Sequence, residues 1–333
     1  MIVCNDRITE RRRIVVCHVC NREISRGSTD QDARGIVVCA GCRSQFVSCG
    51  NCGCFHDRST ERSRMGLCPL CYDERAPQYM IRGHDYKPAP VFHPDYEEGT
   101  RYAGVEIEMD RVPGETISLK KFCTGVKNYD GHLLYLKHDG SLSPDGVEIV
   151  SHPMTPDFHK SGVWYDVLNS ARSAGYHSHD TQSCGLHVHI NKDSLSLYGE
   201  ERERIIGKIT YLIHRFQPQI YRFSRRDVSR WAKFISWNIA GDYFDEYLQY
   251  KLVNHSDRYM ALNLQNPRTI EFRMFRGTLN HDTLMASIEL CDLLCDVGMM
   301  PFSRVRNVSW GDIKNIAGGY DYLPAYLLKR GVN

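Results

Sequence analysis

Glutamate, histidine and arginine recur in four short segments of this chain, and side chains of these types hold metal ions and phosphate. The segments are residues 104–110, 146–150, 184–190 and 268–274. They carry Glu106, Glu108, Glu148, His187, His189, Glu271 and Arg273. Carboxylates and imidazoles are metal ligands, and arginine pairs with phosphate or carboxylate. The residue types therefore indicate a centre that binds metal and phosphate.

The spacing of these residues is that of β-strands. Apolar and polar residues alternate, as with Val105, Ile107 and Met109 against Glu106 and Glu108. A period of two marks a half-buried strand. The wet side of an ordinary strand carries Thr, Lys, Ser and Gln, whereas here it is almost entirely Glu, His and Arg. We expect the four strands to present these side chains on one face of a sheet.

Carboxylates on neighbouring strands repel one another unless cations neutralise them. Mg²⁺ prefers oxygen ligands and often bridges to phosphates. The excess of glutamate therefore favours a magnesium–phosphate centre, although a zinc site on His187 and His189 alone is an alternative.

Two arginines and an asparagine extend this face. Arg273 shares the face of Glu271, and Arg276 follows at the strand end, where a bulge or the turn at Gly277 could bring it inward. Asn263 falls on the polar side of its own alternating segment. We expect the arginines to hold phosphate charge.

Four Cys-x2-Cys pairs near the start of the chain predict two structural zinc sites. The pairs are Cys17/Cys20, Cys39/Cys42, Cys49/Cys52 and Cys68/Cys71. Each pair can reach one ion, and two pairs complete a tetrahedral site. Sequential pairing, which the loop lengths favour, joins the first pair to the second and the third to the fourth; a cross-braced module would join the first to the third and the second to the fourth. Cys54 and His56 could each replace a ligand.

Composition limits the classes of protein. The 333 residues suit two unequal domains. The net charge of +2 favours neither a nucleic-acid nor a membrane partner. Eight zinc-bound thiolates and two zinc ions would bring the net charge of residues 1–75 to about −1, so we do not expect this module to bind nucleic acid. No run of about 18 apolar residues or signal-peptide pattern occurs. Dense cysteines then point to metal in a reducing, cytoplasmic location.

The chain divides into a zinc module at 1–75, a proline-containing linker at 76–100 and an α+β catalytic domain at 101–333. Strands are expected at 102–110, 133–138, 146–151, 185–191, 259–265 and 269–275. Helices are expected at 157–175, 199–222, 241–252, 282–298 and 320–329.

Four motifs occur in an order that resembles the amidoligase family, within the glutamine synthetase and glutamate–cysteine ligase superfamily. They are Gly-Val-Glu-Ile-Glu at 104–108, His-Asp-Gly-Ser-Leu at 138–142 with Gly-Val-Glu-Ile-Val-Ser at 146–151, Cys-Gly-Leu-His-Val-His-Ile at 184–190, and Thr-Ile-Glu-Phe-Arg at 269–273 with Phe-Arg-Gly-Thr at 275–278. The resemblance covers roughly residues 100–300 and excludes the zinc module. It implies an antiparallel sheet curved into a funnel and packed by helices, which binds ATP and two or more Mg²⁺ ions.

The resemblance also implies roles for individual residues. The magnesium ligands would be Glu106, Glu108, Glu148 and Glu271. The nucleotide phosphate or a metal would contact His187 or His189. Arg273 and Arg276 would stabilise the transferring phosphoryl group. Asp139 and Ser141 would lie in a loop near the substrate or metal, and Asn263 would orient substrate or phosphate.

The implied reaction is ATP-dependent formation of an amide through an acyl phosphate. A carboxylate is a poor acyl donor until ATP phosphorylates it, and Mg²⁺ and arginine neutralise the accumulated charge. The substrates are a carboxylate and an amine, and a module that docks a macromolecule makes a peptide or protein substrate the better expectation. Two other functions stay open: a metal-dependent oxygenase or hydrolase on a β-barrel using His187 and His189, and a non-catalytic zinc-module adaptor.

Overall fold

The chain forms two compact units, Met1–Tyr79 and Met80–Asn333, in a computed structural model. The structure describes residues 14–25, 29–50, 52–58, 66–69, 71, 80–181, 183–226, 232–234 and 259–332.

Three antiparallel hairpins make up the described part of the first unit. They pair β1 (Ile14–Val16) with β2 (Glu23–Ser25), β3 (Thr29–Gln31) with β4 (Val37–Cys39), and β5 (Phe46–Ser48) with β6 (Phe55–Asp57). A single turn of helix, α1 (Ala40–Arg43), follows β4. The buried Asp32 carboxylate accepts hydrogen bonds from the backbone N–H groups of Ile36 and Phe55, both at 2.9 Å, and so ties the second hairpin to the third. A unit this small buries few apolar side chains and is typically stabilised by metal.

A seven-stranded sheet forms the frame of the second unit. Its strands are β7 (Ile81–Arg82), β8 (Ala103–Met109), β9 (Leu134–Lys137), β10 (Val147–Ser151), β11 (Gly185–Asn191), β12 (Leu262–Asn263) and β13 (Thr269–Arg276). The order across the sheet is β12-β13-β11-β8-β10-β9-β7, and every pair is antiparallel except β7 with β9. The expected α+β class with a large antiparallel sheet is thus confirmed, with one parallel strand at the edge.

Helices cover the apolar face of the sheet. They are α2 (Leu119–Val126), α3 (Pro156–His159), α4 (Val163–Ser173), α5 (Gly199–Arg215), α6 (Gln217–Ser224), α7 (His281–Met299), α8 (Phe302–Asn307), α9 (Trp310–Ala317) and α10 (Leu323–Lys329). The long helix α7 is buried along most of its length and contacts β11 and several of the other helices. Val105, Ile107 and Met109 are fully buried in this core. Their alternation partners are thereby turned to the opposite face.

Two of the expected helices are broken at identifiable residues. The helix expected at 157–175 divides into α3 and α4 at Gly162, which has a φ of 91°. The helix expected at 199–222 divides into α5 and α6 just before Pro218, which has no N–H group to continue the helical ladder. The strand expected at 259–265 is reduced to Leu262–Asn263. The helix expected at 241–252 lies outside the described residues.

The second unit comprises Met80–Asn333, and it therefore includes most of the segment 76–100, for which the sequence predicts a linker that can pack on a neighbour. Although residues 80–100 are mostly irregular, as a linker would be, they pack on the unit. Arg82 forms a buried ion pair with Asp130, and the Tyr102 hydroxyl donates to the carbonyl of Asp95 at 2.8 Å. Within the described ranges, no helix is long and apolar enough to cross a bilayer.

Candidate functional site

The four cysteine pairs of the first unit come together two by two. Four sulfur atoms lie within 4.8 Å of one another in each of two groups, Cys17/Cys20/Cys39/Cys42 and Cys49/Cys52/Cys68/Cys71. This grouping is the sequential one. Both groups are complete without Cys54 or His56.

The spacing of the sulfur atoms fits zinc. A tetrahedral ion with Zn–S bonds of about 2.3 Å holds its sulfurs about 3.8 Å apart. Cys20 Sγ lies 3.7 Å from Cys39 Sγ, and Cys52 Sγ lies 3.4 Å from Cys68 Sγ. The backbone N–H of Cys39 donates to Cys17 Sγ at 3.3 Å, as backbone amides do around metal-bound thiolates.

In the second unit, the pairing of the strands arranges the charged side chains in rows across the sheet. Directly opposed residues point to the same face. In one row, Glu148 lies opposite Lys137 on one side and opposite Glu108 on the other. The next contains Glu106 opposite His187. The last runs His189–Glu271–Asn263.

These rows form one wall of a cavity of about 1400 Å³. Every predicted site residue of this unit except Arg276 lines it: Glu106, Glu108, Asp139, Ser141, Glu148, His187, His189, Asn263, Glu271 and Arg273. Four motifs that are far apart in sequence therefore meet in one place, as their shared alternation predicted.

Glu106 lies at the centre, between the two histidines. Its Oε2 is 3.1 Å from His187 Nδ1, and its Oε1 is 3.3 Å from His189 Nε2. Burial alone would raise the pKa of Glu106, but attraction to the histidines holds it well below its usual range. Burial likewise opposes protonation of His189, yet the carboxylates of Glu106 and Glu271 raise its pKa. The electrostatics of this point therefore favour a cation.

His189 is oriented as a metal-binding histidine would be. Its Nδ1 is 3.2 Å from Thr269 Oγ1, while its buried Nε2 makes no hydrogen bond within the described part of the chain. That Nε2 faces Oε1 of Glu106 at 3.3 Å and Oε1 of Glu271 at 3.9 Å. A nitrogen that is fixed from behind and that faces two carboxylates without a well-aligned hydrogen bond to either could serve, with them, as a donor set for a divalent cation.

His187 is bonded through both ring nitrogens and does not share this character. Nδ1 approaches Glu106, and Nε2 is 3.3 Å from Nη1 of Arg226. Arginine can only donate, so Nε2 accepts and Nδ1 carries the proton. His187 and His189 therefore do not form a two-histidine metal site. The described strands also form an open sheet with β12 and β7 at its edges, which contradicts the alternative of an oxygenase or hydrolase on a β-barrel.

Glu271 is held by two of the other predicted residues. Arg273 donates to its Oε1, and the Asn263 amide donates to its Oε2 at 2.7 Å. Burial opposes the charge on Glu271, but the histidines and Arg273 lower its pKa. Glu271 is thus an ionised carboxylate whose orientation is fixed by hydrogen bonds from its neighbours.

Glu148 has a different partner, which the sequence analysis missed. Lys137 Nζ lies 2.9 Å from its Oε2, with both residues at least nine-tenths buried. Burial, followed by repulsion from Glu106, raises the pKa of Glu148 to about 9 despite the opposing effect of Lys137. Burial opposes the charge on Lys137, but the same carboxylates raise its pKa. The excess of negative charge favours a proton at both groups.

Asp139 and Ser141 lie in the loop that follows β9. Asp139 Oδ1 accepts from the backbone N–H of Ser141 at 2.7 Å and from its hydroxyl at 2.5 Å. Burial opposes ionisation, but these two hydrogen bonds lower the pKa of Asp139. The loop is shaped by its own side chains and reaches the rim of the cavity.

Arg276 differs from the prediction, and Arg226 lies at the cavity wall instead. An extra residue in β13 shifts its register with β11, so that Val188 opposes Phe272 but Leu186 opposes Phe275. This bulge turns Arg276 to the face of His187, yet Arg276 does not line the cavity.

Arg226 enters from the segment after α6. Its Nη1 donates to the carbonyl oxygens of Arg273 at 2.8 Å and Phe275 at 3.2 Å. Burial lowers its pKa from the ordinary value. No periodicity marks this residue in the sequence, since it lies outside helix and strand.

The family described as "Putative amidoligase enzyme" matches residues 128–295, which is half of the chain. The chain belongs to this amidoligase family. The match confirms the family that the four motifs indicated. Glu148, His187, His189, Glu271 and Arg273 lie inside the matched range, whereas Glu106 and Glu108 precede it.

Solved structures similar to this chain include two of low identity. One is "Crystal structure of novel glutamine synthase homolog", with 13% identity over 70% of this chain and 65% of that chain and a TM-score of 0.36. The chain thus spans slightly less than two thirds of its length. The other is "Apo GmaS without ligand", with 14% identity, coverages of 69% and 67%, and a TM-score of 0.40. A comparison with curated proteins finds no match.

Proposed function

We propose that this enzyme uses ATP to join a carboxylate to an amine through an acyl phosphate. The observation that carries the proposal is the unpartnered Nε2 of His189, which faces Glu106 and Glu271 in a cavity whose wall also holds Arg273. This arrangement fits a divalent cation beside an anion-binding group. The cavity of about 1400 Å³ exceeds the usual size of a small-ligand site, so it has room for a nucleotide and a second substrate.

With nucleotide bound, two or more Mg²⁺ ions would be held by Glu106, Glu108, Glu148 and Glu271, with His189 as the nitrogen ligand. Bound magnesium supplies Lewis-acid neutralisation of the nucleotide phosphates. Arg273 lies beside these carboxylates and can pair with a phosphoryl oxygen through its guanidinium. Asp139 and Ser141 shape the loop at the rim, where a substrate would enter.

The reaction balances without a protein nucleophile. A carboxylate oxygen attacks the γ-phosphorus, the bond to ADP breaks, and an acyl phosphate forms. The amine nitrogen then attacks the acyl carbon, phosphate leaves with the electron pair of the broken C–O bond, and the nitrogen loses a proton. The cavity aligns the two substrates, which supplies much of the rate by proximity.

The zinc module supports a role in docking. We propose that it holds two zinc ions and positions a peptide or protein that provides either the carboxylate or the amine. Both groups of thiols have the spacing of closed structural sites, which leave no open position for catalysis.

Release of ADP with a library of carboxylates and amines tests the reaction. We expect release that requires Mg²⁺ and both substrates, and a fall of at least about 100-fold in Glu106→Gln and Arg273→Ala, since each removes charge stabilisation. Glu200→Gln and Arg304→Ala, at exposed positions of α5 and α8, are the matched controls and should leave the rate unchanged. ADP release that survives both site substitutions would contradict the proposal.

A further inference from the structure

Among the described residues of the cavity, two groups of side chains have metal-binding spacing, and they share only Glu106. One consists of Glu106, His189 and Glu271; the other consists of Glu106, Glu148 and His187. Building on the proposed function, we propose that Lys137 takes the place of a metal ion at Glu148, so that the nucleotide-free site binds a single divalent cation at Glu106, His189 and Glu271.

The first group contains a buried nitrogen that can bind a metal ion. His189 Nε2 is buried and makes no hydrogen bond within the described ranges, and its Nδ1 side is fixed by Thr269. Both Glu106 and Glu271 present an oxygen to this nitrogen. An ion bound here would contact a buried nitrogen that makes no hydrogen bond, and it would share Oε1 of Glu271 with Arg273.

The second group already contains a cation, although Oε2 of Glu148, like Nε2 of His189, makes no hydrogen bond within the described ranges. His187 is bonded at Nδ1 to Glu106 and at Nε2 to Arg226. Glu148, which is 2% exposed, already contacts the ammonium of Lys137 at 2.9 Å. A divalent cation at this point would have to displace Lys137 or lie beside it, and like charges at such distances in a buried site repel strongly.

The position of Lys137 is set by the backbone. Lys137 lies directly opposite Glu148 in the β9–β10 pair, and Glu148 lies directly opposite Glu108 in the β10–β8 pair. Opposed side chains on one face are neighbours, and their Cβ atoms lie about 5 Å apart. The ammonium is therefore a fixed part of the row of carboxylates.

Charge balance supports a single ion. Among the described residues at this centre, Lys137, Arg226 and Arg273 already lie among the four glutamate side chains. Each divalent ion adds two further positive charges before any phosphate is present. A second ion therefore enters with the nucleotide, whose phosphate oxygens provide the missing negative charge and ligands.

Counting bound Mn²⁺ on the full, zinc-loaded chain tests this assignment without any turnover. Equilibrium dialysis without nucleotide should give one Mn²⁺ per chain for the natural protein and for Lys137→Arg, which keeps the charge. Lys137→Met should give two, because Glu148 is then free, and adding Glu148→Gln to it should restore one. Lys120→Met, at an exposed position of α2, is the matched control and should give one.

Affinities locate the single ion. His189→Ala and Glu271→Gln should weaken Mn²⁺ binding by at least about tenfold, as expected for residues that bind or orient a metal. Glu148→Gln alone should change it by less than about threefold. If Lys137→Met does not fold, the Mn²⁺ affinity of Glu148→Gln decides whether Glu148 binds the single ion.

Three outcomes would overturn the inference: two Mn²⁺ ions of similar affinity in the natural protein, a single ion in a folded Lys137→Met variant, or a tenfold loss in Glu148→Gln. None of these outcomes would touch the ligase proposal, which concerns ADP release. Failure to find substrates that release ADP would equally leave the ion count standing.

Discussion

At the scale of single residues, a missing side chain at Gly185 makes room for an arginine. A Cβ atom built there would lie 2.3 Å from Nη1 of Arg226. The N–H of Gly185 also donates to Glu108 at 2.5 Å. Gly185 therefore allows the guanidinium to reach the carbonyls of Arg273 and Phe275 and the ring of His187.

Gly185→Ala and Arg226→Met should destabilise the protein through the same loss. Each leaves buried carbonyl oxygens without their donor, at a cost of about 1–3 kcal/mol in the free energy of unfolding. In urea unfolding followed by tryptophan fluorescence, we expect the double variant to cost clearly less than the sum of the two single variants, because the alanine no longer displaces a guanidinium. Strict additivity would argue that Gly185 does not serve Arg226.

The proposed metal ligands could be predicted from the sequence better than the basic residues that contact the site. Glu106, His189 and Glu271 lie in strongly alternating strands, so their shared face follows from the period of two. Lys137 falls in an expected strand, but its pairing with Glu148 depends on the register of a hairpin with a long loop. Arg226 follows Arg225, which has a φ of 56°, and no pattern predicts where such an irregular segment points.

At the scale of elements, the cysteine pairs allow a direct test of pairing by metal content. We expect about two zinc ions per purified chain. Cys17→Ser with Cys39→Ser should remove one ion, because both ligands belong to one group, and Cys17→Ser with Cys49→Ser should remove both. Mass spectrometry of bound metal gives the count. Cross-braced pairing would produce the reverse result.

Some elements were predictable in principle from local chemistry. Helix α9 was not expected from apolar periodicity, but Ser309 and Asp312 form a capping box at its start, and this Ser-x-x-Asp pattern is a readable signal. The division at Pro218 could also have been inferred from the missing N–H of proline. The parallel edge strand β7 is only two residues long, which is too short for a periodicity argument.

At the scale of the whole molecule, the boundary at Met80 has a measurable consequence. A chain that starts at Met80 should fold and keep its Mn²⁺ site. One that starts at Arg101 loses Arg82, the partner of the Asp130 carboxylate, whose side chain is 1% exposed. Breaking a buried pair from one side costs about 3–5 kcal/mol. Urea unfolding of the two chains measures the difference.

Arg82→Met in the full chain is the matched control and should reproduce most of that loss. Equal stability of the two shortened chains would contradict the assignment of residues 80–100 to the second unit. Composition suggested a linker for this segment because it is rich in proline, but proline content does not reveal which side chains are buried.

The bulge in β13 makes the face of each residue depend on the number of residues in the strand as well as on their types. Because of the extra residue, Met274 and Phe275 are both buried while Arg273 and Arg276 remain on the other face. Without the bulge, simple alternation from Phe272 would turn Phe275 to the face of the cavity and Arg276 to the core. Phe272 and Phe275 thus share a face although they are three residues apart, and a comparison with other chains should allow for one extra residue between them.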